Sequence, residues 1–300
     1  MPTHRHASAL ARPLATWAAR AWVGARVGVA VLAGTAAACG GAHGSSPLDE
    51  AAKVALRERM DDVLPPPEPT TASLPSDREG ILRELAPLPS AALLVVYEVE
   101  GPGGVTGSLE VLARPGGYRR ENWTIHVPLG EEGSRQLDGT TVQTPEGVWI
   151  EGSDEAPTPS PLGALAEAWL ALPEGPRQAV VEQLRAHRQS LALARAAEDA
   201  ATEHVLDVPC HVTRVATLEM CLWEAAGLPL RYASDGLRLR AIHIDDRANI
   251  GEHAFEPPEH PRADVPAVEG FDAAAALQRA AEGDLAELAP WLHPGLRLPT

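Results

Sequence analysis

The feature that most constrains the fold is a series of short segments in which apolar and polar residues alternate. Within residues 118–127, Trp123, Ile125 and Val127 occupy every second position, which predicts a half-buried β-strand. Leu93, Val95 and Tyr97 follow the same spacing further upstream. Glycine- and proline-rich turns separate these segments, so the pattern predicts a meander of short antiparallel strands.

The predicted strands fall into two groups. Asp138-Gly139 is a pair typical of two-residue hairpin turns, and we expect it to join Arg135–Leu137 to Thr140–Thr144. The other strands of the first group are predicted at Ala91–Glu100, Val105–Ala113, Tyr118–Val127 and Val148–Glu151. The second group is predicted at Glu203–Asp207, Cys210–Val215, Met220–Glu224, the residues leading to a turn at Ser234-Asp235-Gly236, and Leu237–Ile244.

Helical spacing of apolar residues frames these strands. A short helix is expected after Ser46-Pro47, and a second is expected to begin at Ser76, where Ser76 and Glu79 match a capping box. Two further helices and an alanine-rich tail complete the pattern, at Leu162–Leu172, Pro176–Ala201, Phe271–Ala281 and Asp284–Leu292. We expect the tail to pack against the main domain, and the fold class to be α+β with a curved antiparallel sheet and packed helices.

Residues 27–39 read VGVAVLAGTAAAC and follow four arginines with no acidic residue, a pattern typical of an export signal. The apolar part is too short to cross a bilayer, which needs about 20 residues. We expect Cys39 to become the lipidated first residue of the mature chain. Two alternatives remain open. Cleavage after Ala38 is one, since Ala36 stands where lipoprotein signals usually carry leucine, and a mitochondrial-type transit peptide is the other.

The chain is acidic, with a formal net charge of −16 at pH 7. Removal of residues 1–38 takes away four arginines and no carboxylate, which leaves a net charge of −20. Such a chain repels phosphate backbones, so we expect no nucleic-acid partner. A solvated surface is the simplest interpretation of the excess, and an acidic recognition patch is the alternative.

Cys210 and Cys221 remain after Cys39 is assigned to the lipid. They lie on the two strands of one predicted hairpin, close enough to face each other. In an exported protein such a pair predicts a disulfide, whereas in a reducing cytosol the same residues would be two buried thiols.

No combination of residues indicates catalysis. The sequence lacks the G-x-S-x-G, H-E-x-x-H and G-x-x-x-x-G-K motifs. His253 and His260 stand beside Glu252 and Glu259, but the prolines between them impose no ligand geometry. We therefore expect no catalytic residue, metal site or cofactor. A hydrolase of unrecognised type remains a third alternative.

The stretch GSLEVLARPGGYR at residues 107–119, followed by DGTTV at 138–142 and GVW at 147–149, resembles the periplasmic lipoprotein carrier and receptor family (LolA/LolB-like). The segments from Trp223 to Arg231 and around Phe255 are similar to that family's last strands, so the resemblance spans residues 77–258. It implies an unclosed half-barrel that wraps helices around an apolar cavity for acyl chains. A concave apolar wall removes a lipid chain from water without directed polar groups.

The resemblance also assigns site residues. Arg119 corresponds to the arginine at the rim of the family's cavity, and the alternative is an arginine on a solvated strand face. Trp123, Trp149 and Trp223 are candidate cleft-lining residues, although a tryptophan at strand spacing is often ordinary core.

These inferences define an expected function and organisation. We expect an exported, lipid-anchored envelope protein that binds an acyl chain or lipoprotein in an apolar cleft. The alternative is a structural or interaction lipoprotein with a filled core and a protein partner. The expected location is the periplasmic side of the outer membrane through the Cys39 anchor, with secretion as a soluble protein as the alternative. The expected regions are a signal at 1–38, a tether, short helix and proline-rich linker at 39–75, the half-barrel domain at 76–260 and a helical tail at 261–300.

Overall fold

The computed structural model describes residues 74–152, 156–196, 201–257 and 268–288. All of them belong to one compact unit, Leu74–Arg297. The predicted signal, the lipid-attachment residue Cys39, the tether and the first predicted helix lie outside the described residues, as do parts of the linker and of the tail.

The described strands form one antiparallel sheet of 11 strands in the order β6-β5-β4-β3-β2-β1-β11-β10-β9-β8-β7. Each half of the sheet is a meander, and the two halves meet where β1 pairs with β11. Strands β6 and β7 end the ladder without pairing with each other, so the sheet is unclosed and the fold class is α+β, as the sequence predicts. The strands are β1 Leu93–Glu100, β2 Thr106–Arg114, β3 Tyr118–Pro128, β4 Ser134–Gln143, β5 Gly147–Ile150, β6 Thr158–Pro159, β7 Thr202–Val205, β8 Val208–Val215, β9 Leu218–Trp223, β10 Leu228–Ser234 and β11 Leu237–Asp245.

The two faces of the sheet differ in burial. Along β1 every second residue, from Leu93 to Val99, is buried, while Glu98 and Glu100 between and after them are exposed. We call the face that carries the buried β1 residues the inner face and the opposite one the outer face. Because side chains alternate along a strand, the strand registers assign every paired residue to one of these faces.

The Asp138-Gly139 hairpin prediction is wrong. β4 runs without a break through both residues and pairs with β3 from Ser134 to Gln143. Gly139 lies opposite Trp123, and a Cβ atom there would stand 2.2 Å from Trp123 Cζ2. The glycine makes room for the indole ring instead of a turn. The chain reverses between β3 and β4 at residues 129–133, where Gly130 and Gly133 have positive φ angles.

The described residues contain four α-helices: α1 Arg78–Leu85, α2 Pro161–Ala171, α3 Glu174–Ala196 and α4 Ala273–Ala281. The cap of α1 is Asp77 and not the expected Ser76, because Asp77 Oδ1 accepts the Gly80 N–H at 2.8 Å. In the tail, α4 forms as expected. Residues 284–288, where a second tail helix was predicted, are not helical, and 289–292 lie outside the described part.

The helices share an apolar core in which the tail takes part. Trp169 of α2 is fully buried there, and Leu277 of α4 packs in the same cluster. The β2–β3 turn contacts these helices, since a Cβ on Gly117 would lie 2.7 Å from Leu162 Cδ1 and the Gly116 N–H donates to the Ala86 carbonyl. The buried members of the cluster are Ile81, Leu82, Leu85, Leu162, Leu165, Ala166, Trp169, Val180, Val181, Leu184, Ala276, Leu277, Ala280 and Leu288.

A carboxylate clamped by two arginines ties α1 to α3. Glu84 pairs with Arg185 and Arg188, and the Arg185 Nε–H donates to Glu84 Oε1 at 3.0 Å. Burial alone favours the neutral acid, but the hydrogen bonds from Arg185 and Arg188 outweigh it and hold the pKa of Glu84 below its ordinary value. A lowered carboxyl pKa stabilises the fold above the unfolded-state pKa of about 4.3, and this stabilisation is lost as the pH falls through the folded-state value.

Glu84→Gln is therefore expected to destabilise the protein at pH 7 and to cost less at pH 3, which lies below the unfolded-state pKa, so that part of the stabilisation from the lowered pKa of Glu84 is already lost. Urea unfolding of both proteins at the two pH values measures the difference. Glu79→Gln is the control, because the pair between Glu79 and Arg83, at 3.6 Å, is exposed and worth under about 0.5 kcal/mol. An equal penalty for Glu84→Gln at both pH values would contradict the account.

Candidate functional site

The inner face of β3 carries a buried ion pair. Arg119 Nε lies 2.6 Å from Glu121 Oε1, and the two side chains are only 16% and 7% exposed. The Arg119 Nε–H is not directed at the carboxylate, so the contact is an ion pair and not a hydrogen bond. The neighbours in register are Ala113 and Val111 on β2, both buried and apolar, and Gln143 and Thr141 on β4, which are polar. Loss of either charge would leave the other uncompensated.

Tyr97 of β1 shares this electrostatic environment. Its side chain is buried, and its hydroxyl makes no hydrogen bond within the part of the chain that the structure describes. Burial raises the pKa of Tyr97 far above its ordinary value, Arg119 opposes that rise and Glu121 adds to it. Tyr97 therefore stays neutral at every physiological pH, and its hydroxyl is a buried donor that is not used.

Tyr97→Phe is expected to leave the free energy of unfolding unchanged or to raise it by up to about 1 kcal/mol, because the mutation removes a desolvated hydroxyl and no hydrogen bond. Tyr232→Phe is the matched control. Tyr232 is also buried, but its hydroxyl is not among the buried polar groups of the described residues that are left without a hydrogen-bond partner, so its loss is expected to cost up to about 1 kcal/mol. Urea denaturation compares the two variants, and a larger loss for Tyr97→Phe than for Tyr232→Phe would refute the assignment.

The inner face is closed at its centre and open at one flank. Val95 and Val111 are 0% exposed, so protein atoms fill the space above the centre. Toward β3 and β4 the apolar side chains are only half-buried, and Ile150 of β5 is 46% exposed. We call the half-buried residues of this flank the inner strip: Trp123, Ile125, Val127 and Leu137.

The structure separates the residues that the sequence grouped as a cleft. Arg119 and Trp123 lie on the inner face of β3. Trp149 pairs with Val142 on the outer face, and Trp223 follows Cys221 on the outer face of β9. A cleft-lining role stays a prediction for Arg119 and Trp123, and the alternation of the strands points the other two tryptophans away from them.

Neither Glu121 nor Tyr97 was assigned to the site from the sequence. Glu121 stands two residues from Arg119 on a predicted strand, so the period of two already places both side chains on one face. That spacing was the available signal. The same period places Tyr97 on the face of Leu93 and Val95, but its position near Arg119 and Glu121 depends on the registers of β1 with β2 and of β2 with β3, which spacing alone does not determine.

The outer face of the same strands is polar. Asn122 Nδ2 donates to Glu110 at 2.8 Å, and Arg120 Nε donates to Asn122 Oδ1 at 2.9 Å. Thr124 Oγ1 donates to Asp138 at 2.7 Å, a bond that lowers the pKa of Asp138 together with one from Gln136. A ladder of hydrogen-bonded polar groups suits contact with water, whereas the inner strip suits contact with an apolar partner.

Cys210 and Cys221 are joined by a disulfide between the neighbouring strands β8 and β9, with a Cα–Cα distance of 5.3 Å. Both residues are buried. Among the described residues, no group of three or more histidine, cysteine or acidic side chains is arranged to hold a metal ion. In the same part of the chain, none of the helices has the length and apolarity needed to cross a bilayer.

Fold and site together define a class: an α+β protein with one unclosed antiparallel sheet and an apolar strip on its inner face. No family model matches the chain, and neither does any curated protein. Among solved structures, the complex of MucA and MucB from Pseudomonas aeruginosa matches with a TM-score of 0.32 and 16% identity, over 61% of this chain and 59% of that chain. A crystal structure of MucB matches with a TM-score of 0.28 and 16% identity, over 59% of this chain and 61% of that chain. Each match spans less than two thirds of the chain that it matches, and likeness at this level carries no inference about ligand or partner. The resemblance to the lipoprotein carrier family stays a prediction.

Proposed function

We propose that this chain is a non-catalytic binding protein of the bacterial envelope, exported and anchored through a lipid on Cys39, which holds a protein partner on its inner strip. The observation that carries the proposal is the half-buried inner strip beside a closed centre. Contiguous apolar surface on one face of a sheet is typical of a binding site, and single scattered apolar residues are not. The partner segment would cover Trp123, Ile125 and Leu137.

Two features favour a protein partner over an acyl chain buried in a deep cleft. The centre of the inner face is filled, since Val95 and Val111 have no exposed surface. The adjoining floor holds the Arg119–Glu121 ion pair, and charges are costly to keep in a lipid-filled cavity because they lose water. A protein segment, in contrast, needs only a shallow surface and brings polar groups of its own.

An acyl chain laid along the inner strip is the second candidate. It is favoured by the composition of the strip, because Trp123, Ile125, Val127 and Leu137 carry no charge. Burial of apolar area is the whole requirement for a lipid chain, at about 25 cal/mol per Å². From Trp123 to Val127 the strip runs for about 13 Å along β3, long enough for part of a lipid chain.

Native mass spectrometry of the full chain, released gently from a bacterial envelope, distinguishes the candidates. The proposal predicts a complex with a second protein, lost in Ile125→Ser and retained in Ile242→Ser. Ile242 is the matched control because it is an exposed isoleucine in the β11 bulge at the centre of the sheet, away from the inner strip. A dissociable lipid in place of a protein would establish the second candidate. Both candidate functions would be overturned if neither a protein partner nor a lipid were detected, or if Ile125→Ser and Ile242→Ser lost the bound species equally.

The same mass spectra test whether a lipid is attached to Cys39. Acylation adds the mass of the lipid to Cys39, and Cys39→Ala is expected to remove that mass while the complex survives. Detection of an unmodified chain that begins at Cys39 would show ordinary cleavage after Ala38 without lipidation. Stable anchoring needs two or more acyl chains, at about 0.8 kcal/mol per buried CH2.

A further inference from the structure

The outer face of strands β7 to β10 carries a closed ring of alternating charges. Arg231 Nη2 lies 2.8 Å from Glu203 Oε2 and 3.0 Å from Glu219 Oε1. Arg214 completes the ring, with Nε 3.2 Å from Glu219 Oε2 and Nη2 3.6 Å from Glu203 Oε1. Each carboxylate contacts both guanidinium groups. Neighbouring exposed pairs that form a network hold their geometry better than an isolated pair does.

The ring lies over the disulfide. Glu203 of β7 is in register with Cys210 of β8, and Arg231 of β10 is in register with Cys221 of β9. Neighbouring strands are about 4.8 Å apart, so β7 and β10 are separated by about 14 Å. Glu203 and Arg231 nevertheless meet at 2.8 Å, and their side chains must therefore reach toward each other across the two strands that carry the sulfur atoms.

Exposure fits this arrangement. The four charged side chains are between 34% and 59% exposed, whereas Cys210 and Cys221 beneath them are 1% and 0% exposed. Val212, which is in register with Cys221 on the same face, is also buried. The charged ring thus lies between the sulfur atoms and solvent on this face, where Trp223 is half-buried and its partner in register, Leu228, is buried.

We propose that this ring, Glu203–Arg231–Glu219–Arg214, is a cover that controls the access of thiols to the Cys210–Cys221 disulfide. Reduction begins when a thiolate attacks one cysteine sulfur, forming a mixed disulfide and releasing the other cysteine as a thiolate, which takes a proton. With dithiothreitol, its second thiol then displaces the remaining cysteine, and the reagent leaves as a cyclic disulfide. The first attack needs a path to sulfur, and the ring closes that path.

The test measures the rate at which dithiothreitol reduces the disulfide in the folded full chain, by alkylation and mass spectrometry. Glu203→Ala and Arg231→Ala open the ring from opposite ends. Glu100→Ala is the matched control, because Glu100 makes an exposed pair with Arg238 at 3.7 Å on the same sheet, away from the sulfur atoms. We expect reduction to become about tenfold faster or more in both ring variants and unchanged in the control, since access limits the exchange rate.

Global unfolding would also expose the sulfur atoms, so each rate is measured at several low urea concentrations together with the free energy of unfolding. Attack on the folded ring variants gives a rate that is nearly independent of urea, whereas attack on an unfolded chain gives a rate that rises with it. Two results would overturn the proposal. The first is that reduction in the ring variants is accelerated by no more than the increase in their unfolded fraction. The second is that reduction is accelerated equally in Glu100→Ala.

Discussion

Glu121→Ala is expected to lower the free energy of unfolding by about 3–5 kcal/mol, because it leaves the guanidinium of Arg119 buried without a counter-charge. Arg119 is only 16% exposed and faces buried apolar residues of β2, so water cannot replace the carboxylate fully. Urea unfolding measures the loss. An unchanged dependence of the free energy of unfolding on urea concentration shows that the mutation has not altered the denatured state.

The double variant Arg119→Met/Glu121→Leu tests whether the loss of stability comes from an unpaired buried charge or from a change of side-chain shape at these positions. Replacing both charges with apolar groups of similar size is expected to restore stability to within about 1 kcal/mol of wild type, since neither charge is then buried alone. Glu98→Ala is the control, an exposed glutamate of β1 whose loss is expected to cost under about 0.5 kcal/mol. If the double variant proved as unstable as Glu121→Ala, the pair would owe its effect to shape and not to charge.

The second large effect concerns the disulfide. Cys210→Ala/Cys221→Ala is expected to cost about 3 kcal/mol, because the bond closes a loop with a sequence separation of 11 residues and its removal returns chain entropy to the unfolded state. Urea unfolding with and without dithiothreitol provides the measurement. The wild type should lose stability in reductant, and the double variant should not respond. If dithiothreitol also destabilised the double variant, its effect would not come from the Cys210–Cys221 disulfide.

The sequence predicts the meander well because its signals are local. The period-two pattern of Trp123, Ile125 and Val127 predicts β3, and apolar spacing places the four described α-helices to within a few residues, although it also predicts a helix at residues 284–288 that does not form. Asp138-Gly139 misleads because the dipeptide is also suitable inside a strand when a large side chain lies across it. Trp123 fills that position, and no local pattern reports which residue will face a glycine on the neighbouring strand.

The site was predicted only in part, for a related reason. Arg119 and Glu121 share a face by spacing alone, and the same spacing separates Trp149 from Val148. The pairing of β1 with β11 is beyond such reasoning, because it joins residues about 145 positions apart and depends on the whole sheet. That pairing closes the centre of the inner face, and it determines that apolar surface remains open only toward the flanks.

The central claim is that the inner strip is the binding surface, and photocrosslinking from single positions tests it most directly. A photoreactive amino acid is placed at Leu137 on the strip or at its neighbour Gln136, which is exposed on the outer face of the same strand. The full chain is then produced in the cells from which its gene derives. We predict a discrete crosslinked protein from position 137 and none from position 136. Crosslinking from position 136 alone, or the absence of any product from 137, would contradict the account.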